Sequence, residues 1–107
     1  MKNRVVVTGL GVVHSLGLNV QDFWNSIKEG KCGIKVVEKF DISPFPTKVA
    51  AEITDFDPSN YIDKKEARRM DKYTQYAMAA TKMAIEEAKL DLDKVDKDRM
   101  GVIVGSG

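Results

Sequence analysis

The chain has 107 residues, 43% of them apolar and 31% charged, which is an ordinary globular balance at the length of one small domain. Its 17 basic and 16 acidic side chains leave a net charge of +1, which excludes a long-range field for nucleic acid or a membrane surface, so electrostatic recognition has to be local. The single cysteine, with neither a CxxC pair nor a Cys/His cluster, excludes an internal disulfide, argues against structural zinc and fits a reducing compartment, the cytoplasm.

Met1 to Arg4 is weakly basic, but the apolar run after it is interrupted by Thr8, Gly9 and Gly11 and reaches His14 and Ser15 without the apolar stretch of an export signal. No run approaches the roughly 20 apolar residues that cross a bilayer, so a soluble chain is expected. Arg4-Val5-Val6-Val7-Thr8 is continuous and β-branched, the pattern of a central strand buried on both faces. Gly9 and Gly11 let the backbone bend or pack closely after it. Asn19 suits the N-cap of a helix from Val20 to Glu29, with Val20, Phe23, Trp24 and Ile27 on one stripe and Gly30 as its stop.

Lys31 to Ala51 has no helical period, with Pro44 and Pro46 in a loop and a short strand around Lys48 to Ile53. Short helical turns are expected between Pro58 and Met70, then a long helix from Asp71 to about Leu90. Its alanines 77, 79, 80, 84 and 88 permit close approach of neighbouring backbones and suggest burial in a larger body. Asp91 to Arg99 reads as a solvated connection, and Met100-Gly101-Val102-Ile103-Val104 as a second apolar strand leading into Gly105-Ser106-Gly107. The elements make one α/β unit, incomplete, without repeats.

Strand, glycine turn and helix in that order invite a nucleotide site, but His14 stands where the dinucleotide fingerprint needs glycine or alanine. Val13 and Ser15 break the short-chain dehydrogenase spacing in the same way. Cys32 has only Lys31 beside it to favour a thiolate, and His14 alone at a strand end is more often structural than catalytic. Ser106 fails the GxSxG pattern because Val104 precedes it by two positions. The most informative polar feature is Lys64-Lys65-Glu66-Ala67-Arg68-Arg69-Met70-Asp71-Lys72, five cations and two anions in nine residues. In a helix, Lys64, Arg68 and Lys72 fall on one face with Lys65 and Arg69 beside them, a docking patch for an acidic partner. The competing reading is a solvated face paired internally to Glu66 and Asp71. Only Tyr61 and Tyr73 lie near, so single-stranded nucleic acid fits less well than an acidic protein.

Taken together, several pieces resemble in order and spacing the opening of the β-ketoacyl-acyl carrier protein synthase II family of fatty-acid condensing enzymes. They are Arg4-Val-Val-Val-Thr-Gly-Leu-Gly-Val-Val, Trp24, Gly30-Lys-Cys-Gly-Ile34, Phe40-Asp-Ile-Ser43, Lys48-Val-Ala-Ala-Glu52, Phe56-Asp57-Pro58, the Lys65 to Met70 run and Gly101-Val-Ile-Val-Gly-Ser-Gly107. The resemblance covers essentially the whole chain.

It implies a thiolase-like α/β fold, five-layered α/β/α/β/α in the complete homodimeric enzyme. Residues 1–107 would then be part of the first half, truncated at the carboxyl end. It implies transfer of an acyl chain from acyl carrier protein to a cysteine, then decarboxylative condensation with malonyl-acyl carrier protein, without metal or organic cofactor. The thiolate acts as nucleophile, and two histidines assist decarboxylation and stabilise the enolate. In the family those three residues lie downstream, so no catalytic residue falls within this chain, and Cys32 sits where relatives often have serine. The resemblance assigns Lys65, Arg68 and Arg69, with Lys64 contributing, to carrier-protein binding. The acyl-pocket lining begins beyond Gly107. The expected function is therefore a segment of a cytoplasmic 3-oxoacyl-[acyl carrier protein] synthase, inactive alone. The alternative is a non-catalytic carrier-protein docking module.

Overall fold

A computed structural model describes residues 2–107; Met1, the start of the weakly basic lead, lies outside the described residues. In chain order the elements are α1 (Val20–Lys28), β1 (Ile34–Val36), β2 (Val49–Ala51), a 3₁₀ turn (Pro58–Asn60), α2 (Lys64–Ala67), α3 (Lys72–Ala88) and a second 3₁₀ turn (Lys97–Arg99).

Helix α1 starts where its cap chemistry dictates. The Asn19 side chain accepts the Asp22 backbone N–H at 2.8 Å, and its Nδ2 donates to Asp22 Oδ2 at 3.0 Å, satisfying one of the donors a helix start leaves free. The helix stops at Gly30, whose φ of +71° lies in the left-handed region that glycine enters without penalty. Ser26, the buried residue of this helix, donates through Oγ to the Leu16 carbonyl at 2.7 Å and ties α1 to the loop before it.

β1 and β2 pair antiparallel in the register Ile34↔Ala51, Lys35↔Ala50 and Val36↔Val49. The second of these lies within the strand expected from Lys48 to Ile53. The first falls in the stretch read as irregular, since three residues are too few to display a period of two.

The long helix α3 runs within the span expected for it and ends on Lys89, a non-glycine residue at φ +53°. Along it lies the Gly9–Gly11 segment. A β-carbon at Gly9 would overlap the Ala84 carbonyl oxygen, and one at Gly11 would overlap that of Ala80. The Leu10 backbone N–H between them donates to Glu87 Oε2 at 2.6 Å. The glycines, expected to let the backbone bend or pack closely, pack it against the alanine-lined helix.

Two expected strands are not paired. Arg4–Thr8 and Met100–Val104 belong to no ladder, and Val5 is 91% exposed and Ile103 fully exposed. A strand exists through the hydrogen bonds of its neighbours, and among the described residues neither segment has one. Among the described residues the buried apolar ones are Ile62, Ala67 and Ala79. The radius of gyration of 17.2 Å exceeds the roughly 13 Å of a compact domain of this length. The 9150 Å² of accessible surface likewise exceeds the roughly 6000 Å² expected of a compact 11.9 kDa monomer. These elements lie open rather than closing a core.

Candidate functional site

The basic run is held by a small, locally determined scaffold. Asp57 opens the Pro58–Asn60 turn by accepting the Ser59 N–H at 2.9 Å and the Ser59 hydroxyl at 2.7 Å. Those bonds, the hydroxyl first and the backbone N–H next, hold its carboxyl below the usual carboxylate range, with a smaller contribution from the Lys64 ammonium. Beneath the turn, Phe56 stacks on Tyr61 at 6.1 Å and meets Tyr76 of α3 edge-on at 5.1 Å. Lys82, also on α3, donates to the Tyr61 carbonyl. The preceding loop and the turn are thereby fixed to the long helix.

Asp63 then caps α2, accepting the Lys65 N–H at 3.1 Å. The helix lasts four residues, and Arg68, Arg69 and Met70 follow as a turn, so Lys72 belongs to α3 rather than to the same helical face. The single stripe of Lys64, Arg68 and Lys72 anticipated from the sequence is thus broken between two helices. Lys64, Lys65, Arg68 and Arg69 remain together on α2 and its continuation, all four exposed.

None of the four forms an ion pair. Among the described residues the salt bridges are Lys31–Glu29 at 3.0 Å and Lys94–Asp91 at 3.8 Å, both elsewhere. The internal pairing to Glu66 and Asp71 that would have made this an ordinary solvated face is therefore missing. Four cations on about one and a half turns, without neutralising partners, offer carboxylates or phosphates several charge-assisted hydrogen bonds at once. Lys64 and Arg68 also line a shallow cavity of about 330 Å³ with Asp57, Ser59, Ala67 and Gln75.

Sequence reasoning passed over Gln75, which lies in the second turn of α3 and is only 7% exposed. Its Nε2 donates to the Ala67 carbonyl at 2.9 Å and, at a longer 3.5 Å, to that of Met70. The available signal was a polar residue four positions before the fully buried Ala79, at core spacing on the same face.

The other candidate residues do not assemble. His14 makes a two-way backbone bridge with Gly17, accepts the Leu16 N–H on Nδ1 at 3.1 Å and packs edge-on against Phe23 at 4.9 Å. That is a structural histidine with Nδ1 serving as an acceptor. The Cys32 thiol is exposed and contacts the Ile34 carbonyl at 3.9 Å. His14 and Cys32 line different cavities, and no hydrogen bond joins them. Ser106 is exposed. Among the described residues no three His, Cys, Asp or Glu side chains converge as a metal site, and no helix is long and apolar enough to cross a membrane.

The family described as Beta-ketoacyl synthase, N-terminal domain, matches residues 2–107. Among curated proteins, the 3-oxoacyl-[acyl-carrier-protein] synthase 2 of Coxiella burnetii is 45% identical over 106 residues, covering 99% of this chain and 26% of that protein. The protein of the same description from Synechocystis sp. is 41% identical over 106 residues, again covering 99% and 26%. The chain thus spans about a quarter of the length of these relatives. Among solved structures, the ishigamide ketosynthase/chain length factor superposes with a TM-score of 0.74 at 33% identity, over 84% of this chain and 22% of that one. A type II polyketide synthase acyl-carrier protein in complex with its ketosynthase, bound to the hexaketide, gives 0.69 at 28% identity, over 92% and 24%. The likeness identifies the fold as part of the thiolase-like fold, as the family resemblance implied.

Proposed function

Because the chain belongs to the β-ketoacyl synthase family, as its amino-terminal domain, we propose that it is a segment of a 3-oxoacyl-[acyl carrier protein] synthase. The complete enzyme extends fatty acyl chains by decarboxylative condensation with malonyl-acyl carrier protein, and this segment supplies the surface that docks the carrier. The observation that carries the docking role is the cluster of Lys64, Lys65, Arg68 and Arg69, all exposed and none paired to an acid. An acidic carrier protein meets there a patch whose charges are not already satisfied, which favours fast encounter and fixes orientation. The similar ketosynthase structure held with its acyl-carrier protein supports the same class of partner.

The chemistry belongs to the remainder of the enzyme, cytoplasmic and homodimeric, with the acyl group carried on a cysteine outside this chain. Cys32, exposed and lining a different cavity from His14, and His14, engaged in a local turn, have no part in it. Residues 1–107 are one portion of the first half of the fold. The large exposed apolar surface and the quarter-length coverage of the relatives support that assignment.

The test is malonyl-dependent elongation by the complete protein, alongside Arg68→Glu/Arg69→Glu. Loss of carrier affinity by about tenfold or more, about 1.4 kcal/mol, supports docking here, and unchanged affinity refutes it. The competing reading, a docking module without catalysis, draws on the same patch. It prevails if the complete protein binds carrier but yields no elongated product, and product from residues 1–107 alone would overturn both readings.

A further inference from the structure

The turn that bears the two arginines is closed by local backbone bonds, which set its shape but not its position against the long helix. Helix α2 is one turn long, and a single turn forms at most a few internal hydrogen bonds against the cost of ordering its backbone. Asp63 secures its start. Its end is closed by the Arg69 N–H to the Glu66 carbonyl at 2.9 Å and the Met70 N–H to the Ala67 carbonyl at 3.1 Å, and is tied to α3 by the carboxamide of Gln75.

The geometry points to Gln75 as a positioning residue for the carrier-docking turn, an inference that rests on the docking role proposed above. The two carbonyl oxygens that Gln75 Nε2 approaches belong to Ala67 and Met70, so they bracket Arg68 and Arg69. The 2.9 Å bond holds the Ala67–Arg68 peptide plane, from which Arg68 departs, and the longer contact to the Met70 carbonyl ties the far end of the turn to the same carboxamide. The donor is shielded from water, since Gln75 is 7% and Ala67 5% exposed, so solvent competes little for the bond.

The orientation of the carboxamide is dictated by its partners. Carbonyl oxygens only accept, so Nε2 must face them, and Oε1 is left buried and without a hydrogen-bond partner. That orphaned acceptor carries a desolvation penalty that an apolar side chain of similar length would avoid. What glutamine supplies at this position, and methionine could not, is the pair of donor hydrogens directed at the turn. Gln75 also lines the same cavity as Lys64 and Arg68, which places the buried tether directly behind the charged surface.

The test uses the complete synthase carrying this segment, with acyl carrier protein as the varied substrate. Gln75→Met keeps the length and removes the donor; Gln75→Glu keeps length and polarity and, ionised, also removes it. Both are expected to raise the carrier KM by about 2- to 10-fold, the range one hydrogen bond carries, with kcat held within about twofold. Arg68→Glu/Arg69→Glu serves as the control for docking itself. If that control raises the carrier KM while both Gln75 variants leave it at the wild-type value, the positioning role is overturned and the docking reading stands. If the control leaves the carrier KM unchanged, the docking reading fails and takes the positioning role with it. If both Gln75 variants lower kcat without moving KM, or neither folds, the residue is a core hydrogen bond of the domain and the inference is overturned.

Discussion

Gly11 lies against the backbone of Ala80 so closely that a β-carbon added to the glycine would coincide with the Ala80 carbonyl oxygen. The φ of Gly11 is not in the left-handed region, so the glycine is required by contact rather than by conformation. Gly11→Ala in the complete protein must push the amino-terminal segment off α3 or bend the helix. A loss of about 1–3 kcal/mol is expected, the usual cost of overpacking, read as a lowered melting temperature. An unchanged melting temperature would mean that this contact is loose.

The start of α1 offers a cleaner measure of local chemistry. Asn19→Ala removes both the bond to the Asp22 N–H and the reciprocal bond to its carboxylate. The expected cost is about 1 kcal/mol, with Asn19→Ser recovering most of it because a serine hydroxyl caps nearly as well. Equal denaturant midpoints for the wild type and Asn19→Ala would show that the helix is held by its packing alone.

These two sites differ in how plainly they could be read beforehand. The helix ends at Asn19 and Gly30, the extent of α3 and the strand near Val49 follow from local rules that act within a few residues. Small residues in both segments signalled close packing of each, but that the two pack on one another could come only from the fold. The strands expected at Arg4–Thr8 and Met100–Val104 failed for a complementary reason. Valine and isoleucine favour extended backbone, yet a ladder requires a neighbour, and neither segment finds one among the described residues. In the basic run, composition revealed the excess charge. It could not reveal that the helix breaks after Ala67 and separates Lys72 from the other cations, nor that Glu66 and Asp71 leave the cations unpaired. Gln75 was missed because its partners are backbone carbonyls, which leave no mark in the side-chain pattern.

The exposed apolar segments have their own consequence. Val5, Val7, Val102, Ile103 and Val104 expose apolar surface along unpaired backbone, the arrangement that templates pairing with another chain. Residues 1–107 expressed alone are expected to self-associate, with light scattering rising with concentration and apolar dye binding well above that of the complete protein. A monodisperse 11.9 kDa species at high concentration would show that these segments fold back in solution.

Acid should loosen the scaffold of the basic turn in a defined window. The Asp57 carboxyl is held below its ordinary range chiefly by the Ser59 hydroxyl and N–H, so the ionised form is favoured in the folded state. A depressed folded pKa contributes stability that is fully present above the unfolded value, about 4, and is lost as pH falls through the lower folded value. Asp57 is fully exposed, so the effect is local to the Pro58–Asn60 turn. In the complete protein, the Ser59 amide resonance should titrate with a midpoint below the ordinary aspartate range, and Asp57→Asn should abolish that transition. Asp41, whose carboxyl is lowered by the same two kinds of bond from Ser43, provides an internal comparison on a separate loop. A midpoint for Ser59 at or above the ordinary aspartate value would mean that the bonds from Ser59 do not persist in solution, and that the turn beneath the cations is held by its backbone bonds, the Phe56, Tyr61 and Tyr76 rings and the Lys82 bond to the Tyr61 carbonyl.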